Sequence, residues 1–576
     1  MEKTPNHSGA YSFGNQPPPL PVYVYPPDQG GDAPNRVSSQ EALVSPTERR
    51  RWWRGKRFKT LFLLITTFIC GAFNQFQPVS PLVFLFYASF LSFVHVCDSN
   101  LVRWLGTLAI ACGMSLSMSQ IFRLDDGWAG SYWDWTSWGY VVGIEIVISH
   151  LLLLISIMHV TLARRRPEEK LIIFCFPTLV ACIYSIIANF TPAGTQTSIG
   201  YGLYDFQSFI QIVSLFGLTG LNFIILTVAS CIAHAMVIDT ECGRSNFSRK
   251  LGIGIFLINW LFGSIRLLSP YMYQLSVDDT AIPSSGWVNA ACVVHETGSD
   301  AFNATAELLA RDPYTGLVLW SEVAMDIPYY DILYSQKDWQ IPLLSDFTWN
   351  LTQLSSQYNV TIGATYTTWA KPYDFFDTTQ YNDLMVVDPV RGVLGTYSKS
   401  HPVPIIESDV VAVDDEMLVG ESSTIGKFAA GICFDFDFPY FIRSGIRKEG
   451  AGGLLIQTAN TWGIVGRFHG ISSSFRAIEN GAYLVRCGSN GPSGLWDHYG
   501  NTLAYQSRAD DGVMQFQIPK DPERVWTVYN SFGFAFDYLL YAIGIGYIGI
   551  LVLTFWKPKQ VDSIPVEMAA DGGVAI

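Results

Sequence analysis

Ala429-Ala430-Gly431-Ile432-Cys433-Phe434-Asp435 is a run of small apolar residues that stops at a cysteine, followed by an aromatic residue and an acid. Small and β-branched residues closed off by a polar turn form a short, fully buried strand. A cysteine on such a strand end is held by a rigid scaffold and can serve as a nucleophile where a neighbouring base or cation favours its thiolate. By itself a free cysteine is most often a small buried hydrophobe. Two other stretches have the same form. Leu317-Val318-Leu319-Trp320-Ser321-Glu322 ends an apolar strand in a carboxylate, which burial is expected to raise in pKa and so suit to general-base work. Tyr397-Ser398-Lys399-Ser400-His401-Pro402-Val403-Pro404 places a lysine between a β-like run and two prolines that fix a turn. A lysine fixed over a reacting carbonyl can stabilise an oxyanion. Taken singly, Glu322 reads as a residue leaving a sheet into solvent and Lys399 as a surface charge.

All three lie between residues 271 and 535, where further β-rich runs (Trp287 to Val294, Val360 to Tyr366, Leu384 to Val387, Gly453 to Thr458, Ala482 to Cys487) alternate with helical stretches such as Phe475 to Asn480. Strands alternating with helices over such a length predict an α/β domain with its own core. The rest of the chain is of another kind. Only 15% of the 576 residues are Asp, Glu, Lys or Arg, against 49% hydrophobic, where a soluble domain carries roughly a quarter charged. Eight apolar runs account for the deficit: Thr60 to Phe76, Val79 to Val96, Trp104 to Phe122, Val141 to Leu162, Leu171 to Asn189, Gly217 to Ile238, Leu251 to Leu268 and Tyr538 to Trp556. Runs of about 17 to 25 apolar residues can span a bilayer, so residues 57–270 are expected to form a seven-span membrane domain and 536–557 an eighth span.

Arginines and lysines cluster before the first run (Arg49 to Arg51, Arg54, Lys56, Arg57), at Arg164 to Lys170, at Arg244 to Lys250 and at Lys557 and Lys559. By the positive-inside tendency these segments are cytoplasmic. Residues 271–535 then lie on the lumenal or extracytoplasmic side, as does the loop of Trp128, Trp133, Trp135 and Trp138, and sequons at Asn303, Asn350 and Asn359 fit that side. Asn246 falls on the cytoplasmic side. Residues 1–56, rich in Pro, Gly, Ser and Asn, are expected to be a disordered tail, and 558–576 a cytoplasmic tail. The first apolar run starts too far from the N-terminus for a secretory signal peptide, so the first helix is expected to act as the insertion signal. A net charge of -13 gives no basic field for nucleic acid, and the ten cysteines show no metal-ligand spacing. Cys292 and Cys487 are expected to be buried core cysteines, with a bridge between them as the alternative that leaves Cys433 free. In the apolar runs, Glu145 is placed near an interface, and His234 and Arg266 are expected to snorkel from span ends.

The order Glu322, Lys399, Cys433 resembles the carbon-nitrogen hydrolase (nitrilase) superfamily, and seven spans before such a domain with one after it resemble its membrane branch, the apolipoprotein N-acyltransferases. The family's W-P-E appears as Trp320-Ser321-Glu322, its Y-x-K-x-H-L-V-P-F-G-E as Tyr397, Lys399 and His401 to Glu407, and its I-C-Y-E as Ile432-Cys433-Phe434-Asp435. Its N-x-x-W appears one residue shorter as Asn460 to Trp462, and R-A-I-E as Arg476 to Glu479. Thr527, Tyr529 and Gly533 match T-x-Y-x-x-x-G, and Gln211, Ile212, Gly217, Gly220 and Leu221 match Q-I-x-x-x-x-G-x-x-G-L. Ser321, Pro402, Ile406 and the Phe434-Asp435 pair depart from the family pattern.

The resemblance implies an α-β-β-α sandwich beside a polytopic helical bundle. It implies a triad of Glu322, Lys399 and Cys433, supported by Glu407, Asp435 and Trp462, with no cofactor and no metal. The activity it implies is transfer of a fatty acyl group from a phospholipid, through a Cys433 thioester, to an amine on a protein N-terminus or a small molecule. The membrane would be that of the endoplasmic reticulum, another secretory compartment or the cell surface. Two other functions share the sequence features: a membrane-anchored amidase acting on a soluble lumenal substrate, and a silent nitrilase-like interaction domain.

Overall fold

The computed structural model describes residues 46–73, 81–118, 135–196, 198–239, 245–276, 286–295, 298–322, 325–326, 340–369, 379–413, 416–460, 466–507 and 511–556. Most of the expected tails and Trp462 lie outside these residues. The helices before residue 280 are α1 (Pro46–Ala72), α2 (Leu82–Val96), α3 (Asn100–Met118), α4 (Trp135–Arg165), α5 (Cys175–Phe190), α6 (Gln207–Ile210), α7 (Val213–Ala233) and α8 (Ser245–Ser276). Helix α1 begins inside the segment expected to be a disordered tail.

Five segments are long and apolar enough to cross a membrane: Val142–Arg165, Lys170–Phe190, Val213–Ile238, Asn246–Ser269 and Ala535–Thr554. These are the fourth to eighth of the expected runs; the first three are not shown as spans among the described residues. Leu82–Val96 and Asn100–Leu116 are shorter apolar helices, and the 15 residues of α2 rise only about 22 Å against a hydrocarbon core of about 30 Å. The bundle buries Phe86, Tyr87, Phe90, Phe93, Phe176, Phe209, Leu221 and Ile225 in one core. Its intramembrane polar groups depart from expectation. Glu145 is buried, and His234 does not snorkel but bonds His159 Nε2 at 2.9 Å and Asp239 Oδ1 at 3.1 Å.

The second half forms two sheets. One carries strands β1 (Trp287–Val294), β2 (Thr315–Trp320), β3 (Met325–Asp326), β4 (Thr361–Trp369), β5 (Gln380–Asp388), β6 (Gly392–Ser398) and β13 (Gly512–Pro519), in the order β13-β1-β2-β4-β5-β6 with β3 beside β4. The other holds β7 (Leu418–Ser422), β8 (Gly426–Ile432), β9 (Leu454–Asn460), β10 (Tyr483–Ser489), β11 (Ser493–Trp496) and β12 (Thr502–Gln506), in the order β12-β11-β10-β9-β8-β7. β1, β2 and β4 run parallel, as do β8, β9 and β10.

The two-residue period of a strand explains the layering. Ala290, Cys292, Val294, Leu317 and Leu319 join the core shared with the second sheet, including Phe428, Ala430, Leu455 and Val485. Their alternates Ala291, Val293, Val318 and Trp320 pack with Leu308 of α9 (Gly298–Arg311) and Leu351 of α10 (Gln340–Tyr358). Helices α11 (Pro439–Ile446) and α12 (Gly466–Asn480) follow β8 and β9, completing the α-β-β-α order. Between the sheets, Cys292 and Cys487 form a disulfide with Cα atoms 5.2 Å apart. The expectation of two separate core thiols is thus corrected: facing inward on central strands of opposite sheets brings the residues within bridging distance.

Helix α12 covers the second sheet on one side and the bundle on the other, with Ile471, Phe475 and Ile478 in the bundle core. Where φ at Gly217 is +65°, α7 breaks its helical path, and the freed Leu218 amide donates to Glu479 Oε1 at 3.0 Å. A Cβ at Gly217 would stand 2.5 Å from Tyr529 on α13 (Val528–Phe532), so only glycine fits. Thr527 Oγ1 donates to Glu479 O at 2.6 Å, after which α14 (Ala535–Trp556) returns through the bundle. Arg266 does not snorkel, but hydrogen-bonds Gln211 and lies 4.9 Å from the Tyr499 ring centroid. Gln211 in turn donates to Tyr499 O at 2.9 Å.

Candidate functional site

The parallel strands β2 and β8 both end at one place. Glu322 follows β2, Cys433 follows β8, and Lys399 follows β6, the edge strand of the first sheet. Carboxyl ends of parallel strands are where open α/β sheets gather functional groups, and here the site sits across the seam between the sheets. Glu322 leaves the first sheet, yet its amide donates to Ala459 O of the second at 3.3 Å, and its Oε2 accepts from the Asn460 amide at 2.6 Å.

Lys399 Nζ lies 2.7 Å from Glu322 Oε1 and 2.6 Å from Glu407 Oε1. Glu407 folds back on its own loop, accepting from the Val403 amide through Oε2 at 2.6 Å. Asn382 on β5 also donates to Glu322 Oε1, at 2.7 Å. Lys399 is 0% exposed and Glu322 3%, so the ammonium is surrounded by the groups that compensate it, as a buried charge requires.

Cys433 occupies φ +45°, a left-handed conformation that costs a residue with a side chain about 1–3 kcal/mol and persists only where its surroundings impose it. It opens a 3₁₀ turn, Cys433–Asp437. Gln457 Nε2 donates to Cys433 O at 2.8 Å. Asp435 fixes the turn, accepting from the Ile432 amide at 2.9 Å, Tyr397 Oη at 2.6 Å, the His401 amide at 2.9 Å and His401 Nδ1 at 3.1 Å. This one carboxylate therefore ties the cysteine turn to the lysine loop. Cys433 Sγ lies 3.6 Å from Asn460 O, whose own amide is bonded to Glu322.

Burial pushes the Cys433 thiol well above its ordinary pKa, and the Glu322 and Glu407 charges add to it, against Lys399. Burial would also push Glu322 up, but the Lys399 ammonium, with hydrogen bonds from Lys399 and the Asn460 amide, holds it below the usual carboxylate range. The expectation of a raised Glu322 is corrected: burial is present, but the adjacent cation outweighs it. Burial works against the Lys399 charge, yet Glu322, Cys433 and Glu407 keep its pKa well above the ordinary value. Glu407 is raised by burial and by Glu322, against Lys399. At neutral pH the site therefore rests as neutral thiol, carboxylate and ammonium.

Glu322, Lys399, Cys433, Glu407 and Asp435 converge here, while Trp462 lies outside the described residues. Asn382 and Gln457 were not anticipated. Both are mid-strand amides, set against the site by register alone, and no local pattern marks them. Among the described residues no group of three or more His, Cys, Asp or Glu could hold a metal.

The carbon-nitrogen hydrolase family model matches residues 285–526. The chain is similar to apolipoprotein N-acyltransferase 2 of Treponema denticola, 24% identical over 354 residues, covering 54% of this chain and 64% of that protein. It is also similar to the apolipoprotein N-acyltransferase of Borreliella burgdorferi, 22% identical over 396 residues, covering 62% and 73%. Among solved structures, Saccharomyces cerevisiae Nit3 matches at TM-score 0.33 and 18% identity over 40% of this chain and 90% of that one. An amidase from Nesterenkonia sp. AN1 matches at TM-score 0.34 and 17% identity over 40% and 93%. Residues 285–526 therefore resemble a carbon-nitrogen hydrolase domain. Joined to helices apolar and long enough to cross a membrane, it gives a chain that resembles the membrane branch of that superfamily, the apolipoprotein N-acyltransferases.

Proposed function

We propose that the chain is a membrane-bound N-acyltransferase that moves a fatty acyl group from a phospholipid, through a thioester on Cys433, to an amine. The observation that carries this reading is the placement of the Glu322, Lys399 and Cys433 cluster in a domain whose helix α12 is shared with an apolar bundle. A lipid ester emerges at the headgroup boundary, where such a domain is held. The named relatives support the acyltransferase branch.

In the first half-reaction Cys433 Sγ bonds to the ester carbonyl carbon as its proton passes to Glu322. Lys399 stabilises the oxyanion. The carbon-oxygen bond then breaks, and the lysophospholipid leaves with the proton from Glu322. In the second, an amine nitrogen bonds to the thioester carbon, the carbon-sulfur bond breaks, and Glu322 carries the amine proton to the departing thiolate. A carboxylate held low is a weak base against a thiol pushed high, so proton transfer accompanies attack and no free thiolate waits at rest. Glu407 and Asn382 orient Lys399 and Glu322, and Asp435 holds the turn.

The catalytic domain is assigned to the lumenal or extracytoplasmic side. The Cys292–Cys487 bridge supports this, since such bonds persist in oxidising compartments, as do the exposed Asn303, Asn350 and Asn359. Arg164 and Arg165 also lie at the end of the bundle away from the domain: Arg164 reaches His95 O and Arg165 reaches Thr554 O, whereas Asp537, near the start of α14, meets Thr219 beside the domain. The test is intact-mass measurement of the full chain in phosphatidylethanolamine nanodiscs. An acyl adduct that maps to Cys433 and is absent from Cys433→Ala supports the reading. Turnover of small amides with no adduct from lipid selects the amidase instead.

A further inference from the structure

We propose that Thr195, on the bundle loop between α5 and α6, is a positioning residue for Cys433, so that the membrane domain itself sets the nucleophile. The turn that begins at Cys433 ends at Asp437, and Asp437 is where the bundle touches it. The Thr195 amide donates to Asp437 O at 2.9 Å. Thr195 Oγ1 lies 3.0 Å from the same oxygen and 3.1 Å from Asp437 Oδ1. Tyr201 donates to Thr195 Oγ1 at 2.7 Å and packs edge-on against Phe475 of α12 at 5.0 Å. Gly194 makes the approach possible: its φ is +56°, and a Cβ there would stand 2.7 Å from Asp437 O.

Thr195 is 3% exposed and Asp437 0%, so water does not substitute freely for these bonds. Within the domain the turn is held at its start by Gln457, at its middle by Asp435 and at the Asp437 side chain by His469 Nε2, 3.0 Å from Oδ2. Its far end is bonded by a residue 242 positions away in sequence, across the junction of bundle and domain. The left-handed φ of Cys433 requires such over-determination. A turn of five residues is too short for its last residue to shift without moving its first.

The acylation readout of the test rests on the acyltransfer reading; the alkylation readout does not. Full-length wild type, Thr195→Val and Thr195→Ser are compared in lipid nanodiscs for Cys433 acylation rate at varied donor density and for the pH profile of Cys433 alkylation by iodoacetamide. Thr195→Val, which keeps shape and loses the hydroxyl, is expected to lower the maximal acylation rate on the order of 10- to 100-fold, the effect of misplacing a reacting group by about 1 Å, with the donor KM unchanged. It also loosens the turn, so alkylation at neutral pH rises several-fold as burial of the thiol is relieved. Thr195→Ser restores both. Tyr201→Phe, which keeps the ring and removes the donor to Thr195, moves both readouts the same way by less and serves if Thr195→Val does not fold. Wild-type behaviour of Thr195→Val in both assays overturns the proposal, as does equal loss in Thr195→Ser. A shifted alkylation profile in Thr195→Val alone, with no acylation even in wild type, supports the positioning role and refutes the acyltransfer reading.

Discussion

Replacing Cys292 and Cys487 together by alanine removes a cross-link that closes a loop of 195 residues between the two sheets. In the chain-entropy model a loop of that length contributes about 5 kcal/mol at 25 °C, and measured bridges typically give about 2–4. For a domain of this size each kcal/mol moves the midpoint of thermal unfolding by about 2–4 °C, so the pair is expected to lower it by roughly 4–16 °C. The loss should reach the site as well. Cys292 is in register with Leu319 on β2, and Cys487 with Thr458 on β9, close below the Glu322 to Asn460 amide bond that spans the sheets. Loosening the seam lengthens that bond before the domain unfolds, so inactivation precedes the fluorescence transition on heating. The assay is tryptophan-fluorescence melting of the full chain in nanodiscs with residual acylation at each temperature, alongside non-reducing peptide mapping of the wild type. A linked peptide pair and a lowered midpoint are expected. Two free thiols at these positions in protein from an oxidising compartment, or an unchanged midpoint, would refute the reasoning.

The resting charges make Glu322→Gln act in two directions. Removal of the carboxylate takes away a charge that pushes the Cys433 thiol up, so iodoacetamide alkylation at pH 7 quickens, while acylation falls about 10²- to 10⁴-fold with loss of the base; slower alkylation contradicts the electrostatics. In the wild type, alkylation should climb with pH from 7 to 10 without levelling, because the thiol is held well above its ordinary value, whereas a curve that levels by about pH 10 would show an ordinary thiol. Glu407→Gln preserves an acceptor for the Val403 amide and should cost less activity than Glu407→Ala, which frees the loop carrying Lys399; equal losses would show that only the charge matters. Endoglycosidase treatment should change the mass at one or more of Asn303, Asn350 and Asn359 in protein from a eukaryotic secretory host, and glycan on Asn246 would invert the topology.

The strand ends were legible in the sequence because the apolar runs before Glu322 and Cys433 stop at polar residues, and those runs are the observed β2 and β8. Lys399 was marked by the prolines after it. The local pattern could not carry the distances: Glu322 and Lys399 meet through the order of β2, β4, β5 and β6, and Glu322 meets Asn460 only because the sheets stack. For the same reason Asn382, Gln457 and Thr195 gave no signal, and Cys292 and Cys487 looked like ordinary core cysteines. The direction of the Glu322 shift was misread because an apolar run shows burial but not the ammonium at its end. In the bundle, hydropathy located the apolar segments but not their lengths as helices, nor that Arg266 turns toward Tyr499 and His234 toward His159 instead of leaving for solvent.

The claim that Cys433 carries the acyl group on the path to an amide is tested most directly by a single-turnover chase. Protein acylated from isotope-labelled phospholipid is freed of donor and mixed with an amine-bearing peptide, and the Cys433 adduct and labelled amide are followed together by mass. The account predicts that the adduct decays at the rate the amide appears, in near-equal amount and faster than with water alone. An adduct that outlasts amide formation, or amide formation in Cys433→Ala, would contradict it.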